Sequence, residues 1–478
     1  MRVGPDTGGV HSLPVLWLYG PPGVGKTSVT WELFRRLAAE GLSTGYVDID
    51  QVGMCYGPPT TQNWAPEPAD DPGRHLLEAR TLNAVVANFR DAGAHGVIVP
   101  GVIDQVRGMP VDLLPDAALT AVRLRADPGD LGRRLAARDN PFEDRAAIPA
   151  LADALDRAFA GKPCVDTTGL TIAEVADRVL AHTGWPGVPL TEPLSARLAP
   201  GPAAGGASRP LGSEVSVSRT PDPDAGGARR APGLDASGVS RTPGFDAGGV
   251  SRTPHPSAGG DQTLGRGAGD VERALGRGAG DVERALGPGT GEILWVCGPT
   301  AVGKSTVGWQ VYQRIRQGGV TAAFVDLDQI GFRRPVPAGD PGNHRLKAAN
   351  LASVWRSFRA SGAACLIAVG PLERPEDFTH YADALPAAAI TLCRLRASRR
   401  VLGERAALRG RGVSPASGLA GDELVGQPPG RLREIADQAA RIDQTLGVFG
   451  DLHVDTDDRP AADIATEILK RTGHPMPA

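Results

Sequence analysis

Two stretches decide the fold: VLWLYGPPGVGKT (15–27) and ILWVCGPTAVGKS (293–305). Each is a short apolar run, then a glycine-punctuated turn, then Lys-Thr or Lys-Ser opening a segment with helical spacing. Gly20, Gly23, Gly25, Lys26 and Thr27 in the first, and Gly298, Gly303, Lys304 and Ser305 in the second, fit G-x-x-x-x-G-K-[ST]. The chemistry needs these residue types. Glycines let backbone N–H groups curl round phosphates, and the following helix turns its positive end towards them. The lysine neutralises the outer phosphates, and the hydroxyl of Thr27 or Ser305 reaches Mg²⁺. The chain has only five lysines, so two at this one position are not incidental.

Working outward, the match continues. GYVDIDQVG (45–53) aligns with AFVDLDQIG (323–331), and 71–101 aligns with 340–370 at 14 of 31 positions. VRLRA (122–126) aligns with CRLRA (393–397), and VDTTGLTIAEVADRVLAHTGWP (165–186) with VDTDDRPAADIATEILKRTGHP (454–475). Five blocks in one order mean an internal duplication. The expected organisation is 1–186, a linker 187–290, and 291–478. The linker is dense in Gly, Pro, Ala, Ser and Asp, carries SRTP three times and LGRGAGDVERA twice in tandem, and is expected to be disordered.

Within the first copy, strands are read at Val15–Tyr19, Thr44–Asp48, Gly96–Val99, Leu119–Leu124 and Cys164–Asp166. Helices are read at Gly25–Glu40, Arg74–Ala92, Asp130–Arg138 and Ile172–His182. Such alternation predicts an α/β fold, a parallel sheet with helices on both faces.

The D-x-D block closes the second strand: Asp48 and Asp50, matched by Asp326 and Asp328. Ligands bind at the carboxyl ends of parallel strands. A carboxylate there can serve Mg²⁺ or take the proton of an attacking hydroxyl; the alternative is a strand-end cap. Asp104 and Glu373 follow the third strand at equivalent positions, as candidate metal contacts. His75 and His344 open the long helix after D-P-G and are candidates to face an acceptor. Arg134 and Arg138, like Arg405 and Arg409, fall at i, i+4, a spacing that lets them close over a transferring phosphoryl group as a lid; a solvated helix face is the other reading.

A P-loop, a second strand ending D-x-D, an arginine helix and a V-D-T strand in this order resemble the small-metabolite kinases of the P-loop superfamily, such as shikimate, gluconate and adenylylsulfate kinases. FVDLDQIG looks especially like the shikimate kinase pattern. The resemblance covers both copies and omits the linker. It implies two P-loop NTPase domains, each a five-stranded parallel sheet in the order 2-3-1-4-5. It also implies ATP and Mg²⁺ at Lys26, Thr27, Lys304 and Ser305. Asp48, Asp50, Asp326 and Asp328 would serve magnesium and the acceptor, and Arg134 and Arg405 would be lid arginines. The chain departs from shikimate kinase after the third strand, where P-G-V and G-P-L replace a glycine triplet, so the acceptor stays open.

The net charge of −3 and pI near 6.3 argue against a nucleic-acid-binding protein. Five cysteines without C-x-x-C spacing exclude a disulfide framework or zinc site, and Cys297, Cys365 and Cys393 read as core. No apolar run is long enough to span a membrane, and a cytoplasmic protein is expected. The partner is then a small-molecule acceptor. The competing function is an ATP-hydrolysing nucleotide switch without an acceptor.

Overall fold

A computed structural model describes residues 12–58, 73–104, 108–136, 145–186, 291–412 and 422–474. The 187–290 linker, most of the Met54–Asp70 loop and Arg138 lie outside the described residues.

The first repeat supplies strands β1 (Leu13–Tyr19), β2 (Thr44–Tyr46), β3 (Cys55–Tyr56), β4 (Gly96–Gly101), β5 (Ala117–Arg125) and β6 (Cys164–Asp166). Its helices are α1 (Lys26–Ala39), α2 (Gly73–Asp91), α3 (Pro128–Ala136), α4 (Ile148–Ala158) and α5 (Ile172–Thr183). The second supplies β7 (Gly291–Cys297), β8 (Ala322–Asp326), β9 (Phe332–Arg334), β10 (Cys365–Val369), β11 (Ala388–Arg396) and β12 (Leu452–Asp455). Its helices are α6 (Lys304–Gln317), α7 (Leu327–Gly331), α8 (His344–Ala360), α9 (Phe378–Ala384), α10 (Arg399–Gly410), α11 (Pro429–Leu446) and α12 (Ala461–Thr472).

The sheets run β6-β5-β1-β4-β2-β9 and β12-β11-β7-β10-β8-β3. The five parallel strands of each keep the expected order 2-3-1-4-5, as β2-β4-β1-β5-β6 and β8-β10-β7-β11-β12, but neither sheet is the expected five-stranded one. Each has a sixth, outermost strand, antiparallel and donated by the other repeat. β9 lies on β2, with Phe332 opposite Tyr46, and β3 lies on β8, with Tyr56 opposite Ala322. In the parallel part of each sheet the P-loop strand lies between its repeat's third and fourth parallel strands. Helix crossovers produce that arrangement, which opens a crevice at the carboxyl ends of the strands.

The exchange follows from what leaves each strand. After D-x-D-Q the chain makes one short turn and emerges beside the other repeat's edge, which would otherwise offer unpaired N–H and C=O groups. Phe332 packs on Trp31 and Tyr46 of the first repeat, with ring centroids 5.0 and 6.3 Å away. Met54 packs reciprocally into the second repeat's core. Helices α2 and α8 also meet, where Asn88 Nδ2 donates to Asn350 Oδ1 at 3.0 Å and Ser353 Oγ at 3.1 Å. A shared apolar core joins Trp17, Val85 and Phe89 to Trp295, Val354 and Phe358. The described residues of both repeats thus form one compact unit. Cys297, Cys365 and Cys393 are buried in it, as their apolar surroundings in the sequence suggest. Among the described residues no helix is long and apolar enough to cross a membrane.

Candidate active site

The P-loop backbone demands its glycines. Gly20 and Gly298 have φ of 151° and 141°, and a Cβ on either would meet the carbonyl oxygen of Leu124 or Leu395 at 2.3 or 2.5 Å. Gly25 and Gly303 cap α1 and α6 in left-handed conformation. Gly23 has φ 86°, and its counterpart Ala301 holds a similar conformation at 68°. Lys26 Nζ donates to Gly20 O at 2.8 Å, and Lys304 Nζ to Pro299 O at 3.0 Å. Both ammonium groups therefore bend back over the loop that would hold phosphate. Thr27 is half-buried at the start of α1.

In the second repeat these groups border a cavity of about 470 Å³. Lys304, Ser305, Asp326, Asp328, Arg405 and Arg409 line it. Ser305 Oγ donates to Asp326 Oδ2 at 3.0 Å, so a hydroxyl and a carboxylate oxygen sit side by side. Such hard oxygens suit Mg²⁺, which takes one or two protein ligands and fills the rest with water and phosphate.

Both first acids also cap. β8 ends at Asp326, whose Oδ1 accepts from Asp328 N–H at 3.0 Å, and Asp48 does the same for Asp50 N–H at 3.0 Å. The cap and the metal-facing reading thus coexist at Asp326, one on each oxygen. Burial and then the neighbouring Asp328 push Asp326 up to about 6; burial and then Asp50 push Asp48 up to about 7.

The second acids have cationic partners, which the sequence reading did not find. Lys347 Nζ lies 2.6 Å from Asp328 Oδ1. Burial would raise the Asp328 carboxyl, but Lys347 and Lys304 outweigh it and hold the group below its ordinary value. Gly331 makes the approach possible, since a Cβ there would sit 2.2 Å from Lys347 Cγ. In the first repeat the aligned residue is Glu78, and the cation is Arg74: its Nη2 is 2.5 Å from Asp50 Oδ1 and its Nε 2.7 Å from Glu78 Oε1.

The histidines separate in the same way. His75 Nδ1 is 3.1 Å from Glu78 Oε2, a bond that raises its pKa. His344 is buried, with Nε2 at 2.6 Å from Glu373 Oε2 and Nδ1 at 3.0 Å from the Tyr381 hydroxyl. One turn of α8 therefore pins two carboxylates from neighbouring strand ends: Glu373 through His344 and Asp328 through Lys347. Asp104 is buried in the first repeat.

Arg405 and Arg134 hold backbone. Arg405 donates to Val302 O at 2.9 Å and to Thr456 Oγ1 and O at 2.9 and 2.7 Å. Arg134 makes the matching bonds to Val24 O at 3.4 Å and Thr167 at 2.9 and 2.7 Å. Each ties the V-D-T turn to its P-loop. Arg409, which also lines the cavity, pairs with Asp422 at 3.0 Å, and Arg334 pairs with Glu423.

No family model matches the sequence, and no curated protein does. Among solved structures the chain is similar to a tunicamycin resistance protein from Deinococcus radiodurans, at 18% identity over 39% of this chain and 99% of that one, with a TM-score of 0.27. It is similar to a gluconokinase from Sinorhizobium meliloti, at 17% over 36% and 92%, TM-score 0.25. It is also similar to the APS kinase of Mycobacterium tuberculosis solved with AMPPNP and APS, at 18% over 39% and 99%, TM-score 0.25. These neighbours include small-molecule kinases. At such TM-scores the likeness identifies no residue and no substrate in this chain.

Proposed function

We propose that this chain is an ATP-dependent phosphotransferase that moves the γ-phosphoryl group of ATP to a small hydroxylated acceptor, each repeat (1–186 and 291–478) carrying one nucleotide site. The observation that carries this reading is the convergence of Lys304, the Ser305–Asp326 pair and Asp328 on one cavity of about 470 Å³. That volume suits a ligand of nucleotide or metabolite size.

The P-loop amides and Lys304 bind the phosphates. Ser305 and Asp326 would hold magnesium through their oxygens, and the metal would supply positive charge to offset that of the phosphates. Asp328, oriented by Lys347, accepts the hydrogen bond of the acceptor hydroxyl and aims its oxygen in line with the γ-phosphorus. The oxygen–phosphorus bond forms as the bond to the β–γ bridging oxygen breaks. The hydroxyl proton passes to the Asp328 carboxylate, and ADP leaves. Arg405 is committed to Thr456 and Arg409 to Asp422, so either arginine would have to leave its partner to meet the transferring group. The first repeat uses Lys26, Thr27, Asp48 and Asp50 in the same roles. Its Arg74–Glu78 pair replaces Lys347, which supports a different acceptor there.

The second reading, a nucleotide switch, draws support from the exchanged strands, which let a change at one strand end reach the other repeat. ADP release and product analysis with and without a panel of hydroxylated metabolites decide between them. Acceptor-stimulated release with a phosphorylated product supports the transferase; slow, acceptor-independent hydrolysis across the panel rejects it in favour of the switch.

A further inference from the structure

Along the outer edge of β8 the first repeat takes one amide after another. Ala322 and Ala323 pair with Tyr56 and Cys55. Phe324 N–H donates to Met54 O at 3.0 Å. The next rung, Asp326 N–H, donates at 2.7 Å to a side chain, Gln51 Oε1. The mirror-related rung uses backbone instead: Asp48 N–H donates to Gln329 O at 2.9 Å. Gln51 and Asp326 are 5% and 6% exposed, so water does not substitute readily for this bond.

Asp326 is thereby held at three points. Gln51 fixes its peptide, Asp328 N–H fixes Oδ1, and Ser305 meets Oδ2. We propose that Gln51, a residue of the first repeat, is a positioning residue for the magnesium side of the second repeat's nucleotide site. The inference rests on the phosphotransferase reading only in taking that P-loop as a Mg·ATP site; it needs no acceptor. The physical reason is geometric. Magnesium demands near-octahedral oxygens at about 2.0–2.1 Å, so a small rotation of the Asp326 peptide moves a ligand out of range. Loss of an outer partner of a metal ligand typically costs about 10- to 100-fold in metal affinity. The phosphate-binding groups themselves, Lys304 and the loop amides, all belong to the second repeat. A Gln51 variant therefore separates metal support from phosphate binding.

The test is calorimetry on the full chain in a Lys26→Ala background, which silences the first site. A non-hydrolysable ATP analogue is titrated with Mg²⁺ and with a chelator. The parent is expected to gain affinity from Mg²⁺. Gln51→Met, similar in size but with no oxygen to accept the amide, is expected to lose about tenfold of that gain, with metal-free affinity held. Gln51→Glu keeps an acceptor oxygen and is expected to keep the gain. Should Gln51→Met fail to melt cooperatively, Gln51→Asn, one methylene short, takes its place. An undiminished magnesium gain in the Met or Asn variant overturns the proposal. So does an equal loss with and without metal, which would make Gln51 purely structural. A parent that binds no nucleotide rejects the site itself, a separate result from a parent that binds while the variant is unchanged.

Discussion

Lys347 of the second repeat and Glu78 of the first occupy the same place in the duplicated sequence, carry opposite charge, and both end in the ionic cluster around the second acid of D-x-D. Lys347 meets Asp328 directly at 2.6 Å, whereas Glu78 reaches Asp50 through Arg74. Lys347 is buried, but Asp328 is one-third exposed, so solvent partly screens the charge left behind. Lys347→Ala is expected to destabilise the protein by about 1–2 kcal/mol, read by denaturant unfolding. Because Asp328 is held below its ordinary value, the pair's contribution is present above pH 3.8 and is lost as the pH falls further through the folded value. The deficit of Lys347→Ala should therefore shrink in acid. A deficit unchanged from pH 7 to the acid limit of folding would show that Lys347 contributes packing alone.

The first acids carry the opposite sign. Asp48 and Asp326 have folded values near 7 and 6 against an ordinary 3.8, so the folded chain binds more protons than the unfolded one between those limits. Their contribution to stability falls as pH rises from about 4 to 7. Asp48→Asn is thus expected to stabilise the nucleotide-free protein at pH 8, by roughly 1–3 kcal/mol, and to make no difference below pH 3.8. Thermal melts across that range check the prediction; a variant less stable than the parent at pH 8 contradicts it.

Each P-loop lysine supplies a mobile cation to its own site. Lys26→Ala and Lys304→Ala should each abolish one of two Mg·ATP sites by calorimetry and leave the other stoichiometric. A single site in the parent would refute this count.

Asp50→Asn and Asp328→Asn are expected to leave nucleotide affinity nearly intact and to lower transfer by about 10²- to 10⁴-fold, the share that acid–base chemistry usually supplies. Steady-state ADP formation beside nucleotide binding measures the split. Parental rates in both variants would reduce these acids to partners of Lys347 and Arg74.

The exchanged strands predict that neither repeat folds alone. Residues 1–186 and 291–478 expressed as separate chains should each be insoluble or lack a cooperative melt, and should copurify when expressed together. A singly expressed repeat that melts cooperatively as a monomer contradicts this.

Sequence made the two glycine-rich turns legible because their rules are local. The glycines of 20–25 and 298–303 and the lysine after them need only their own turn, and the same five blocks recur in one order in both halves of the sequence. The surroundings of the second acids, Asp50 and Asp328, depend on distant partners. Lys347 escaped notice because its aligned residue is Glu78, so the repeat comparison marked the position as variable; a rare lysine one turn after His344 was the available signal. β3 and β9 are two and three residues long, too short for any periodicity, and only the free edges of β2 and β8 explain them. Arg134 and Arg405 have helical spacing compatible with a lid, but Thr167 and Thr456 claim their guanidinium groups, a contact set by the turn after the fifth parallel strand.

The strand exchange also constrains how such a chain can evolve. Once each half completes the other's sheet, a substitution that silences one P-loop leaves its donated strand in place, so selection on folding alone retains the silent half. Deletion of that half uncovers β2 or β8 and is removed. The two halves can therefore diverge inside one shared scaffold, and positions 78 and 347 carry opposite charges.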